Sequence, residues 1–153
     1  YLTVTVSVAA KKASGIKSLA HLDGSKTIAV IAGSVSERRL LAGDLGISPD
    51  VHIKSYGSAE LCKAALVKGY VDCWMADVQS LDRLVAQYPG VYRMFADNVM
   101  TVDLGVAFEN SYEGEYVKNL NTVLFDMDRD GTIERIVDSY KAGATTGRQG
   151  AES

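Results

Sequence analysis

The sequence predicts an α/β fold, a parallel sheet with helices on both faces. Three observations carry that prediction. Apolar, β-branched stretches alternate with helical patterns across residues 27–95. The segments joining them are only a few residues long, as in the turns of a βαβ chain. Serine or aspartate stands before each helical pattern and glycine or proline follows it, which is the asymmetry of helix starts and stops.

In chain order, residues 1–9 alternate and are rich in β-branched side chains, so they read as a strand. Residues 11–25 are a polar connection holding Gly15 and Gly24. Residues 27–31, Thr-Ile-Ala-Val-Ile, form a continuous apolar run, as in a strand buried on both faces. Residues 35–44 follow as a helix, with Ser34 as N-cap, Glu37 three positions on in a capping-box pattern, and Gly43 or Gly46 as the stop. Residues 51–56 are the next strand. Residues 58–68 are a helix capped by Ser58 and ended by Gly69, with Leu61, Cys62, Ala65 and Leu66 on its apolar face. Residues 71–75 read as a strand, 78–88 as a helix, Pro89-Gly90 as a turn and 91–95 as a short strand. Then the rhythm breaks. Residues 99–108 form a long, mostly apolar strand with no helix before it, and 113–125 and 132–140 form two helices. Residues 142–153 are polar and Gly-rich, the composition of a disordered tail.

Bulk properties exclude several function classes. The 153 residues suffice for one domain with a real core, and 23% charged with 47% hydrophobic residues is ordinary for a globular protein. A net charge of −3 gives no electrostatic case for nucleic acid or an anionic membrane as partner. No apolar run approaches the roughly 18 to 20 residues of a membrane span. The chain opens on Tyr1-Leu2-Thr3-Val4 without a starting Met or a basic leader, so no signal peptide is visible and the segment reads as cut from something longer.

Cys62 falls on a predicted helix and Cys73 on the strand after it. A helix and its following strand pack face to face, which allows a disulfide closing a short loop, worth roughly 2 to 3 kcal/mol in the chain-entropy model. The alternative is two buried free thiols. Two cysteines do not make a four-ligand zinc site, and His21 and His52 are not at ligand spacing. No metal or cofactor is expected. Asp126-Met127-Asp128-Arg129-Asp130-Gly131 resembles the start of an EF-hand loop, but Val137 stands where a bidentate Glu is required.

In open α/β sheets, ligands bind beyond the carboxyl ends of the strands. Gly33-Ser34-Val35 lies at such an end and opens a helix. Glycine permits close backbone approach, the free N–H groups and dipole of a helix start favour a carboxylate or phosphate, and Ser34 adds a hydroxyl donor. The plainer reading is a capped helix with no ligand. Asp77 ends a strand near the same rim, where an acid accepts from an ammonium group or simply caps the following helix. Together the turn and the acid suit a zwitterion. Asp72 is expected to cap or brace the Gly69-Tyr70 turn. Trp74 reads as core, and Tyr56, just past a strand end, is a better pocket candidate than Tyr88.

The order of these pieces resembles the extracytoplasmic solute-binding proteins of amino-acid ABC transporters, family 3. The matching residues are Ser14-Gly15-Ile16-Lys17-Ser18-Leu19 followed by Leu22-Asp23-Gly24; the strand 27–31 into Gly33-Ser34; and Tyr56 before the helix at Ser58. Further on come Ala65-Leu66-Val67-Lys68-Gly69-Tyr70-Val71-Asp72-Cys73, Asp77 five residues after Asp72, Gly105-Val106-Ala107 and Asp130-Gly131-Thr132-Ile133. The likeness spans residues 1–141. It implies the second lobe of a type 2 periplasmic binding fold. Residues 23–97 would be that α/β lobe, 1–22 a crossover strand and connection, 98–141 a return strand with C-terminal helices of the first lobe, and 142–153 the tail. The rest of the first lobe, with its carboxylate-clamping arginine, would lie before Tyr1; Arg38 and Arg39 do not match that arginine.

By the same resemblance the Gly33-Ser34-Val35 turn binds the α-carboxylate of a polar amino acid and Asp77 its α-ammonium, with Tyr56 alongside. Many family members carry Thr at the position of Val35, so Val35 offers only its N–H; Cys73 replaces the usual Ala. The implied setting is extracytoplasmic, with an ABC permease as partner and no catalysis. Two alternatives use the same architecture: a cyclohexadienyl or arogenate dehydratase-like enzyme, which needs a general acid or base that nothing pairs with Asp77 to supply, and a ligand-sensing receptor domain. Leu2, Val4, Val6 and Val8, with Val117, Leu120, Leu124, Ile133 and Ile136, are expected to be exposed, which favours a homodimer.

Overall fold

The computed structural model describes residues 2–109 and 114–146, without the side chains of 141–146. Tyr1, Glu113 and residues 147–153, on which parts of the expected first strand, first C-terminal helix and tail fall, lie outside the described residues. The chain divides into two compact units. One is Thr3–Asp103; the other takes Leu2 and the described residues from Leu104 on.

The larger unit runs β1 (Leu2–Lys11), β2 (Thr27–Ile31), α1 (Val35–Ala42), β3 (His52–Tyr56), α2 (Ala59–Lys68), β4 (Cys73–Asp77), α3 (Val78–Gln87), β5 (Tyr92–Met94) and β6 (Met100–Leu104). Strand order is β3-β2-β4-β1-β5, with β6 pairing on β1. The three strands of the βα alternation, β3, β2 and β4, are parallel neighbours, as short right-handed crossovers require. The sheet as a whole is mixed. β1 enters it antiparallel to both β4 and β5, Val6 facing Asp77 and Ala10 facing Cys73 on one side, Ala9 facing Met94 on the other.

That insertion corrects the expectation for the first strand. β1 is a central strand rather than an orphan: Val6 is 5% exposed and Val8 fully buried, while Val4 and Leu2 are half-buried. The connection after it is less passive than its polar composition implies, because Ile16, between two short 3₁₀ turns, and Leu22, just after the second, dip into the core.

Strand parity sorts the core into two layers. Val6, Val8, Ala10, Ile28, Val30, Cys73, Met75 and Phe95 lie on one face with Leu40 of α1. Ala9, Ala29, Trp74, Ala76 and Tyr92 lie on the other with Cys62, Ala65 and Leu66 of α2 and Leu81 and Leu84 of α3. This parity also settles the two cysteines. Both are free and buried, and they sit in opposite layers, because Trp74 takes the α2-facing position that a disulfide to Cys62 would need. Burial pushes the Cys62 thiol up to about 11 and the Cys73 thiol further still, so neither is a ready nucleophile.

In the smaller unit α4 (Gly114–Arg129) and α5 (Thr132–Thr146) pack on each other across the Asp130-Gly131 turn. Asp130 accepts the Thr132 N–H at 2.9 Å and caps α5. The expected disordered tail is corrected at 142–146, where α5 continues to Thr146.

Candidate ligand-binding rim

The carboxyl ends of β3, β2 and β4 form one rim, and a helix starts from each. Their caps are those the sequence predicts. Ser34 accepts the Glu37 N–H at 3.1 Å, Ser58 the Leu61 N–H at 3.3 Å and Asp77 the Ser80 N–H at 2.8 Å. Three helix N-termini on one sheet edge concentrate partial positive charge there.

β2 ends in a turn at Gly33, whose φ of 73° is a left-handed conformation that favours glycine. A side chain there would meet no atom within 4 Å, so the backbone is open to approach. Ser34 N–H turns back to the Ile31 carbonyl at 3.2 Å, and Arg38 N–H takes the Ser34 carbonyl. The Val35 and Ser36 N–H groups, the next donors of the helix start, meet no acceptor among the described residues. Ser34 uses an oxygen lone pair on Glu37, which leaves its hydroxyl hydrogen for another acceptor.

Asp77 is one strand away. Ala29 pairs with Trp74, and running that parallel register forward brings Ala32 level with Asp77. The Asp77 carboxylate is half-buried; one oxygen accepts the Ser80 N–H and the other the Ser80 hydroxyl at 2.7 Å. It is therefore the N-cap of α3. Each oxygen keeps a further lone pair, so capping does not exhaust the group. Val6 of β1 faces it across the sheet.

On the other side of β2, Tyr56 receives the Ala32 N–H on its carbonyl at 2.8 Å, and its ring is half-buried against the α2–α3 layer. Ser55 points to the opposite layer, where its hydroxyl donates to one oxygen of Glu37; the other Glu37 oxygen accepts the Gly33 N–H at 2.6 Å. These two bonds, the Ser55 hydroxyl first, hold the Glu37 carboxyl below its ordinary range. The sequence did not mark Ser55 or Ser80 as partners. Ser80, three residues after a capping Asp, carries a weak local signal. Ser55 carries none, because its contact depends on the pairing of β3 with β2.

Other candidates lie elsewhere. Asp72 accepts the Thr27 N–H at 2.8 Å and anchors the start of β2. It does not brace the Gly69-Tyr70 turn, because the chain at 72 is already beside β2: its own N–H donates to the Thr27 carbonyl. Trp74 is core, 2% exposed. Arg39 pairs with Asp44 on the surface of α1. Among the described residues no group of three His, Cys, Asp or Glu is placed to hold a metal ion, and no helix is long and apolar enough to cross a membrane.

The α/β unit has the fold of a lobe of type 2 periplasmic binding proteins. Solved structures of family 3 amino-acid-binding proteins match most of the chain. A Wolinella succinogenes protein taken to be the binding component of an ABC transporter, complexed with lysine, superimposes over 91% of this chain at TM-score 0.76 and 19% identity. Tv2483 bound to L-arginine covers 87% at TM-score 0.71 and 26% identity. An ancestral amino-acid-binding protein described as a precursor of cyclohexadienyl dehydratase covers 91% at TM-score 0.72 and 23% identity. This chain spans 59%, 53% and 58% of those three chains respectively. No family model and no curated protein matches the sequence.

Proposed function

We propose that this chain is the second-lobe part of an extracytoplasmic amino-acid-binding protein that delivers a polar amino acid to an ABC permease. The observation that carries the reading is the rim itself. Free Val35 and Ser36 N–H groups and the Ser34 hydroxyl stand at the end of β2, and the Asp77 carboxylate stands at the end of adjacent β4. The first set takes a carboxylate and the second an ammonium group, with Tyr56 at the neighbouring strand end. The neighbours bound to lysine and arginine support an amino acid as ligand. They also favour binding over catalysis, although the dehydratase precursor shows that the fold lies near an enzyme.

Capture works when ligand contacts favour a closed state over an open one, and a single lobe supplies only one set of those contacts. The expected affinity of this chain is therefore about millimolar or weaker. Amide-resolved NMR titration with lysine, arginine, glutamine and glycine tests both statements. Saturable shifts confined to residues 33–36 and 77–80 are expected, and their absence at tens of millimolar sinks the reading. Micromolar affinity by calorimetry would show instead that the site is already complete.

For association we propose a homodimer through α4 and α5, where Phe125 is 65% and Val123 53% exposed. Val6 and Val8 of β1 do not contribute to such a surface, since both are in the core. Light scattering at high micromolar concentration should give twice the monomer mass; a monomer there rules the dimer out.

A further inference from the structure

Glu37 holds more than a cap. A capping box closes its acid back on the amide of the N-cap residue. Here the N-cap amide, Ser34 N–H, is bonded to the Ile31 carbonyl, and the Glu37 carboxylate is used differently. One oxygen takes the Gly33 N–H at 2.6 Å and the other takes the Ser55 hydroxyl from β3. Its own N–H meanwhile bonds the Ser34 hydroxyl oxygen. One residue thus ties together the turn after β2, the start of α1 and the end of β3. No basic side chain pairs with it among the described residues, so hydrogen-bond donors alone fix the carboxylate.

The turn requires such a tie. Gly33 has no side chain to pack and gives up more backbone freedom than any other residue when ordered. Among the described residues no other hydrogen bond crosses from the turn to a neighbouring strand except the Ala32 N–H on the Tyr56 carbonyl, one residue earlier.

We propose that Glu37 is the positioning residue of the Gly33-Ser34-Val35 turn, holding Gly33 and Ser55 at once so that the Val35 and Ser36 N–H groups stay free for a ligand carboxylate. The inference rests on the reading of the rim as an amino-acid site. It runs against the simplest charge argument, in which a second carboxylate beside the site repels the ligand. The two accounts differ in sign for one conservative variant. In Glu37→Gln the side-chain oxygen still accepts from Gly33 and the amide donates to the Ser55 hydroxyl, so the tie survives without the charge. In Glu37→Ala the tie is lost.

The test combines two measurements on the full chain. Amide hydrogen exchange without ligand reads the turn; an NMR titration with glycine reads binding. Exchange at Gly33 is expected to speed up roughly tenfold in Glu37→Ala, a hydrogen bond's worth, and to stay near wild type in Glu37→Gln. The glycine dissociation constant should weaken roughly fivefold in Glu37→Ala and Ser55→Ala and stay within about twofold in Glu37→Gln. Unchanged exchange in Glu37→Ala overturns the proposal, and so does faster exchange with unchanged affinity, which would make Glu37 a helix cap and nothing more. Markedly tighter binding in Glu37→Gln also overturns it, in favour of repulsion. If exchange responds as expected but glycine shifts nothing in wild type, the amino-acid reading of the rim fails, and the failure is separable because the exchange result stands by itself.

Discussion

The two compact units have equally regular secondary structure and differ in what that structure rests on. In Thr3–Asp103 each helix covers one face of a sheet, and every buried apolar residue among those described lies between Val6 and Phe95. In the other unit α4 buries no residue, and Tyr116, Val123, Phe125 and Ile136 are all exposed. Amphipathic periodicity is enough to make a helix, but a core requires a second surface of matching shape, and among the described residues only the sheet provides one. The division also bears on the proposed function. A rim that must hold hydrogen-bond donors in fixed positions sits on the unit that has a core to fix them.

The sharpest way to break this contrast is to remove one large apolar side chain from each unit. Trp74 is 2% exposed between β1, β2 and the α2–α3 layer, so Trp74→Ala should cost about 3–5 kcal/mol of unfolding free energy. Trp74→Phe should cost much less, because the indole Nε1 meets no acceptor among the described residues and loses no hydrogen bond. Phe125→Ser on α4 should change the main transition by no more than about 0.5 kcal/mol, as at an exposed site. Urea unfolding followed by tryptophan fluorescence for the Phe125 variant and by circular dichroism for all three measures this. A Phe125 effect as large as that of Trp74→Ala would show that α4 belongs to the same cooperative unit.

What the sequence made legible follows the same line between local and non-local causes. Ser34, Ser58, Asp77, Gly43 and Gly69 act within one turn of their neighbours, and the structure places all five at helix ends. The parallel β3-β2-β4 core follows from alternation and short loops. By contrast, nothing in residues 2–11 announces a strand inserted between β4 and β5, since its partners lie some sixty to ninety residues further along the chain. The register that comes with it shifts β4 to Cys73–Asp77 rather than 71–75, and strand parity then sends Cys73 away from Cys62. At the rim, the residues themselves were readable as types: a glycine turn, a hydroxyl and an acid. The Ser55–Glu37 contact was not, because it exists only once β3 lies beside β2 in the observed register.

The smallest effect separates the units by acid. Glu37 and Asp130 are both carboxylates held below their ordinary ranges, first by a side-chain hydroxyl, Ser55 in one case and Thr132 in the other, then by a backbone N–H. The sign is the same for both. A depressed folded-state pKa contributes stability that is present above the ordinary carboxylate value and lost as pH falls through the folded one. Both groups are at the surface, so each contribution is small and screened by salt. They should differ in what they are coupled to. Glu37 ties two elements of the cored unit, so Glu37→Gln should reduce the acid sensitivity of the tryptophan-reported transition below about pH 4. Asp130 accepts from the first residue of α5 in the other unit, so Asp130→Asn should leave that transition where it was and alter only helix content by circular dichroism. If Asp130→Asn moved the tryptophan transition as far as Glu37→Gln, the helical pair would be stabilising the lobe, and the rim would have to be read as part of a single larger body.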